Sequence, residues 1–169
     1  MQKTEGKIMR LGRYVAGHPG LVTVIAVAAA VLAVYGQSLW FGYVNYDDGL
    51  ITDRTWIELR ELSWDGLRRM FAFTGQASFQ PIRHLAFALV YGLWGIEPFG
   101  YHLFNLLFYL ANLWVVFLVL KELLHLSSRF KDSRRAAVWA GVGTVWFAVH
   151  PVHVESVAWM ISNKELLAG

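Results

Sequence analysis

Two groups of side chains in this chain of 169 residues have types and spacing suited to chemistry. The first is the acidic pair Asp47 and Asp48, which follows an apolar run ending in "LWFGY". A carboxylate within hydrogen-bond reach of a hydroxyl can take its proton and make the oxygen a nucleophile. The simpler interpretation of the pair is a turn, because Asp-Gly is a common turn dipeptide. The choice between these interpretations depends on which side of a membrane the pair lies on, and on which other polar groups lie there.

The second group is His150, His153 and Glu155, in the stretch "HPVHVES" near the end of the chain. On a helix that starts at Val152, Glu155 would lie about 160° away from His153, so one helix could not easily hold a metal with both. His150 precedes a proline and could fold back toward His153. The simpler interpretation places these histidines at a helix cap and at the level of lipid headgroups. A metal site therefore stays open, with Asp48, His150 and His153 as candidate ligands.

The composition indicates an integral membrane protein. The chain is 56% hydrophobic and 16% charged, whereas soluble domains are about 45–50% apolar and about 25% charged. The net charge of +3 does not indicate nucleic-acid binding, because the basic residues form two clusters beside apolar runs instead of a stripe mixed with stacking aromatics. The chain contains no cysteine, no zinc-binding CxxC pattern and no glycine-rich phosphate loop.

Three apolar segments are predicted to cross the membrane, at residues 21–41, 101–124 and 136–149. The first could also be a signal peptide, but its apolar run is too long for a typical one. Residues 81–95, by contrast, are short for a span and fit an interfacial helix. The stretch "LSWDGLRRMFAF" predicts a short amphipathic helix at about 63–73, with Ser63 as its N-cap.

The positions of the basic residues predict the topology. If the helix at about 81–96 lies in the interface, the basic N-terminus (1–20) and the basic loop 125–135 share the inner side, as the positive-inside rule requires. The segments 42–100 and 150–169 are then both outside, and the last of these begins a further helix. The predicted fold is thus an all-α integral membrane protein with three transmembrane helices and in-plane juxtamembrane helices in the first outer loop. Both chemically suited groups fall on the outer face.

Three motifs in this order resemble the GT-C membrane glycosyltransferases: "FGYVNYDDGLITD", "FQPIRHLAFALVYGLWGIEPFGYHLFNLLFYLAN" and "VHPVHVESVAWMISNKELLAG". The chain is most similar to the protein O-mannosyltransferase-like proteins that often carry C-terminal tetratricopeptide repeats. The resemblance implies a partial GT-C fold. It also implies transfer of a sugar from a polyprenyl-phosphate donor to an acceptor hydroxyl, on a protein, at the outer or luminal face. The implied partners are membrane lipid, the lipid-linked sugar, the protein acceptor and other membrane subunits, without nucleic acid.

The same resemblance assigns roles to single residues. Asp47 and Asp48 match the acidic pair of the first outer loop and are the expected catalytic residues. Adjacent side chains of an extended segment point to opposite faces, so only one carboxylate would enter the site, while the other binds a divalent metal or holds the loop. The implied substrate-binding residues are Arg83, His84, His150, His153, Glu155 and Lys164, of which the first two would meet a lipid phosphate. Gln80 stands where the family often has arginine, which puts phosphate binding there in doubt.

Other functions fit parts of the sequence. A non-catalytic membrane subunit or scaffold would keep the fold and need other chains, whereas a transporter fragment predicts charged residues inside the spans, which are almost free of them. The chain ends inside an expected helix and three spans cannot enclose a GT-C cavity, so we expect either a fragment or a small relative that works with a partner. The expected location is a bacterial inner membrane, or the endoplasmic reticulum membrane of a eukaryote, with a cytoplasmic N-terminus.

Overall fold

A computed structural model describes residues 19–44, 48–52, 62–72, 80–162 and 166–167. Over these residues the chain is helical and contains no β-strand. The α-helices are, in chain order, α1 (Pro19–Tyr35), α2 (Gly49–Thr52), α3 (Trp64–Phe71), α4 (Pro81–Trp94), α5 (Pro98–Leu126), α6 (Ser133–Ala148) and α7 (Val154–Ala158). Short 3₁₀ turns occupy Gly36–Trp40, Ser128–Phe130 and Pro151–His153.

Among the residues that the structure describes, two helical segments are long and apolar enough to cross a membrane. They are Pro19–Trp40, which joins α1 to the following 3₁₀ turn, and α5 with 29 residues. A third candidate exists only when α6 is taken together with Pro151–Ala158 as one broken span. The 16 residues of α6 cover about 24 Å at 1.5 Å per residue, which is less than a hydrocarbon core of about 30 Å. Over its described residues the chain is therefore an all-helical membrane protein with two or three candidate spans. The third candidate contains most of the segment predicted at 136–149, but it also includes Pro151–Ala158, which the sequence predicts to lie outside.

Helix α4 is shorter than a span, in agreement with its sequence. It has 14 residues and begins with Pro81, whose missing N–H would have no partner inside the helix in any case. It ends at Gly95, which has φ 59°, a backbone conformation that favours glycine. The segment is thus bounded at both ends by residues that suit those positions.

Helix α3 begins where the sequence predicts. The Ser63 Oγ accepts a hydrogen bond from the Gly66 N–H at 3.0 Å, which is the N-cap interaction. Met70 is buried, whereas Arg68 and Arg69 are exposed, so the helix is amphipathic. It packs against α4.

The chain divides into two compact units. The first contains the described residues up to Val34 together with Leu110–Pro151. Its helices approach closely at a small residue, because a Cβ added to Gly141 would lie 2.5 Å from the Thr23 Oγ1. The Thr23 hydroxyl donates to the Pro19 carbonyl at 3.0 Å, so this polar group is satisfied within its own helix.

The second unit contains Tyr35–Tyr109 and the described residues from Val152 onward. Its hydrophobic core joins α2, α4, the start of α5 and the segment after α7, through Ile51, Phe87, Val90, Tyr101, Met160 and Ile161. Gly100 is required for this packing, because a Cβ there would lie 2.6 Å from the Trp94 side chain. This core holds the polar residues described next.

Candidate functional site

Asp48 is a buried carboxylate held by two donors. It is 1% exposed, and its Oδ2 accepts a hydrogen bond from the Val44 N–H at 2.6 Å. Its Oδ1 accepts one from the Trp159 Nε1–H at 2.9 Å, although the two residues are 111 positions apart. Burial of a carboxylate is costly unless hydrogen bonds replace the lost water. Asp48 thus ties the segment after α1 to the segment Trp159–Ile161, called here the terminal segment.

Helix α5 presents a buried polar stripe, made of His102, Asn105 and Tyr109. Residues at i, i+3 and i+7 share one helix face, and these three are at most 2% exposed. The Asn105 Nδ2 donates to the Trp159 carbonyl at 3.0 Å. The Tyr109 ring lies against the His153 ring, with 5.4 Å between centroids. The polar stripe therefore faces the terminal segment and the histidine that precedes α7.

His102 lies at the N-terminal end of this stripe, in the second turn of α5. Its ring interacts electrostatically with the Asp48 carboxylate. The Phe41 ring meets it edge-on at 6.3 Å, and the Phe41 backbone also comes near. Within the part of the chain that the structure describes, neither ring nitrogen of His102 has a hydrogen-bond partner of normal geometry, and the same holds for the Asn105 Oδ1.

Arg83 is held by three groups. Its two terminal nitrogens donate to the Gln80 Oε1 and to the Ile161 carbonyl, both at 2.9 Å. Its guanidinium carbon lies 5.3 Å from the centre of the Phe87 ring, a cation–π distance. Gln80 thus orients Arg83, and the arginine joins the start of α4 to the terminal segment.

The structure brings together only part of the predicted site. Asp48 and Arg83 both bind the terminal segment, while His153 reaches the polar stripe through Tyr109. His84 is half-buried on α4, Glu155 is exposed in the first turn of α7, and His150 is exposed and belongs to the first unit. Asp47 and Lys164 lie outside the described residues, so their predicted roles stay predictions.

The candidate metal ligands do not form a cluster in the described part of the chain. There, no group of three or more His, Cys, Asp or Glu residues could hold a metal ion. His153 occupies the N-cap position of α7, but its side chain makes no capping hydrogen bond, so the predicted capping role is not its role.

Three residues of the cluster, His102, Asn105 and Trp159, are absent from the site predicted from the sequence. Asn105 is 1% exposed and donates to the Trp159 carbonyl, and Trp159 donates to Asp48. A signal was present, because polar side chains inside an apolar span are costly and usually functional. The spacing of the polar stripe at 102, 105 and 109 places them on one face, which the averaged hydropathy of the span conceals.

These features define a class. The chain is a helical membrane protein in which an acidic loop, a polar stripe on a spanning helix and a later terminal segment join at one buried polar cluster. No known family profile matches the chain, and no solved structure is similar to it.

Curated relatives do exist. The chain is similar to protein O-mannosyl-transferase Tmtc1 of Drosophila melanogaster, with 32% identity over 157 residues, 88% of this chain and 17% of that protein. It is also similar to protein O-mannosyl-transferase TMTC3 of Homo sapiens, with 29% identity over 155 residues, 88% of this chain and 16% of that protein. A shorter match of 105 residues to human protein O-mannosyl-transferase TMTC4 is 34% identical and covers 60% of this chain and 14% of that protein.

The resemblance that the three motifs indicate is therefore confirmed: the chain is related to the protein O-mannosyl-transferases. It spans about 17% of the length of the first of these relatives.

Proposed function

We propose that the chain contributes to a membrane glycosyltransferase, which moves a sugar from a polyprenyl-phosphate donor to a protein hydroxyl. The observation that carries this proposal is the buried polar cluster around Asp48, in a chain whose relatives are named protein O-mannosyl-transferases. Long apolar helices place the protein in the membrane, where a lipid-linked donor also resides.

The two aspartates have different roles in this proposal. Asp48 is buried with both oxygens hydrogen-bonded, so it fixes the loop and cannot approach an acceptor hydroxyl from that position. Asp47, its neighbour, is the general base that takes the proton from the acceptor hydroxyl. This division matches the expectation that only one of two adjacent carboxylates enters the site.

Arg83 and His84 form the side of the site that meets the donor phosphate. Arginine carries five N–H donors in a fork, and contacts to Gln80 and Ile161 fix the orientation of that fork. His84, half-buried one residue further along α4, supplies a second donor. Because the phosphate of a polyprenyl donor lies at headgroup depth, a short interfacial helix is a suitable carrier for both.

The proposed topology has the N-terminus in the cytoplasm and Asp47, Gln80 and His153 outside. Helix α3 then lies along the membrane surface, with Trp64 (80% exposed) and Phe71 toward lipid and Arg68 near the headgroups. The chain has no cysteine of its own, so single cysteines at Ser78, Ser128 and Ser156 can be labelled with an impermeant thiol reagent. Labelling at 78 and 156 with protection at 128 is expected. Labelling of 78 and 128 from one side and 156 from the other would show that α4 spans the membrane and would refute a shared site.

A non-catalytic subunit or scaffold is the second candidate function. One observation favours it. Asp48 and Arg83 both make hydrogen bonds to the terminal segment, so both residues stabilise the fold. In this alternative the chain keeps a glycosyltransferase-like fold and acts with other membrane subunits.

Separate asparagine substitutions of the two aspartates distinguish the candidates. Asp47→Asn should lower transfer by about 10²–10⁴-fold, the usual contribution of a general base, without changing the unfolding midpoint. Asp48→Asn should lower the midpoint as well as transfer, because it weakens two hydrogen bonds of a buried group. Equal transfer by wild type and Asp47→Asn, with donor lipid and a purified acceptor, would leave only the scaffold.

A further inference from the structure

The polar stripe contains buried atoms that the described fold does not use. His102 is 2% exposed and Asn105 is 1% exposed, yet among the described residues neither His102 ring nitrogen nor the Asn105 Oδ1 has a hydrogen-bond partner of normal geometry. The Asn105 amide is otherwise well placed, since its Nδ2 donates to the Trp159 carbonyl at 3.0 Å. Buried polar atoms without partners are rare and destabilising, so each one needs an explanation.

The chemistry of these atoms defines the group that would satisfy them. The Asn105 Oδ1 can only accept a hydrogen bond, so the ligand must bring a donor. A neutral imidazole has one donor and one acceptor, so next to His102 the ligand must both accept and donate. Hydroxyl groups do both, and several neighbouring hydroxyls on one small molecule are characteristic of a sugar.

A phosphate fits these atoms poorly for two reasons. A phosphodiester has no hydrogen to donate to the Asn105 Oδ1. It is also negatively charged, and the Asp48 carboxylate already interacts electrostatically with the His102 ring. A neutral hydroxylated ligand meets neither obstacle.

The imidazole contacts a partly exposed side chain. The Phe41 ring meets His102 edge-on at 6.3 Å, and Phe41 itself is 46% exposed. We expect a ligand to reach the ring from this side, with a rotation of the Phe41 side chain.

We propose that His102 and Asn105 form a subsite that binds the hydroxyl groups of a sugar beside Asp48. This inference rests on the proposed function, in which a sugar is transferred, and it assigns the sugar to the polar stripe and the phosphate to Arg83. His102 is a binding residue here, and the proton transfer belongs to Asp47.

The test is direct binding of methyl α-mannoside, measured by saturation-transfer NMR with the protein in lipid nanodiscs, because glycoside detergents would compete. His102→Phe keeps the ring shape and removes both nitrogens. It should weaken binding about tenfold or more, since two hydrogen bonds are lost. It should lower the unfolding midpoint much less than Asp48→Asn does, because neither ring nitrogen makes a hydrogen bond of normal geometry among the described residues. His102→Gln keeps a donor and an acceptor and should retain part of the binding. His125→Phe, at an exposed histidine in the last turn of the same helix, is the matched control and should bind as wild type does.

Three results would overturn the inference. Equal affinity of wild type and His102→Phe would show that the ring does not bind the sugar. A fall in the unfolding midpoint of His102→Phe as large as that of Asp48→Asn would show a structural role. Failure of wild type to bind this or any other neutral methyl pyranoside would remove the subsite altogether. Transfer from a lipid-linked donor, measured on the same preparations, judges the proposed function separately.

Discussion

The hydrogen bond between Trp159 and Asp48 can be tested with a single substitution. Trp159→Phe keeps most of the apolar ring surface and removes the indole N–H that donates to the Asp48 Oδ1 at 2.9 Å. Hydrogen bonds to charged groups contribute about 1.5–3 kcal/mol. Because Asp48 is 1% exposed, water cannot readily replace the lost donor. We therefore expect Trp159→Phe to lower the free energy of unfolding by about 1.5–3 kcal/mol.

A double-mutant cycle isolates this pair from the packing around it. Wild type, Trp159→Phe, Asp48→Asn and the double variant would be unfolded reversibly in lipid nanodiscs or mixed micelles. Contacting residues in a shared network have interaction energies of about 0.5–3 kcal/mol. For a hydrogen bond to a buried charge, we expect an interaction energy in the upper half of this range. Trp146→Phe is the matched control, since this tryptophan is 77% exposed. An interaction energy below about 0.5 kcal/mol would refute the claim that Trp159 holds Asp48.

Two further substitutions test the second unit. Gly100→Ala should destabilise it by about 1–3 kcal/mol, because the new Cβ would lie 2.6 Å from the Trp94 side chain. Gly92→Ala is the control: its Cβ would lie 3.7 Å from the nearest atom, so this variant should be neutral or stabilising. Similar unfolding midpoints for the two variants would contradict this packing. Arg83→Lys keeps the charge but loses the fork that reaches Gln80 and the terminal segment together, so it should cost about 1.5–3 kcal/mol. An unchanged midpoint in thermal unfolding would show that these bonds do not support the fold.

The sequence predicts those features that depend on local composition. A run of apolar residues near 20 is long enough to cross the membrane, and α1 with its 3₁₀ turn and α5 are such runs. Ser63 predicts the start of α3 because its hydroxyl satisfies an N–H that the helix leaves without a partner. Pro81 and Gly95 mark the ends of α4 for reasons equally local.

Features that depend on distant partners could not be predicted in this way. Asp48 reads as a turn residue or a catalytic base until Trp159, 111 residues later, is seen to bind its carboxylate. Arg83 is predicted only as a phosphate ligand, and its second contact, to the Ile161 carbonyl 78 residues later, is visible only in the structure. His102 lies in an apolar stretch, where the mean hydropathy conceals a single polar residue. Each of these needed tertiary contacts that a single sequence does not display.

The central claim is sugar transfer from a lipid-linked donor, and side-by-side donor tests examine it most directly. A full-length protein that contains this chain, purified in lipid nanodiscs, would be given an acceptor peptide containing Ser and Thr, with either polyprenyl-phosphate mannose or a nucleotide-linked mannose, and the glycopeptide would be measured by mass spectrometry. We expect glycopeptide from the lipid-linked donor only, and we expect its rate of formation to be about 10²–10⁴-fold lower with Asp47→Asn. Absence of product with the lipid-linked donor, or equal product from wild type and Asp47→Asn, would contradict it.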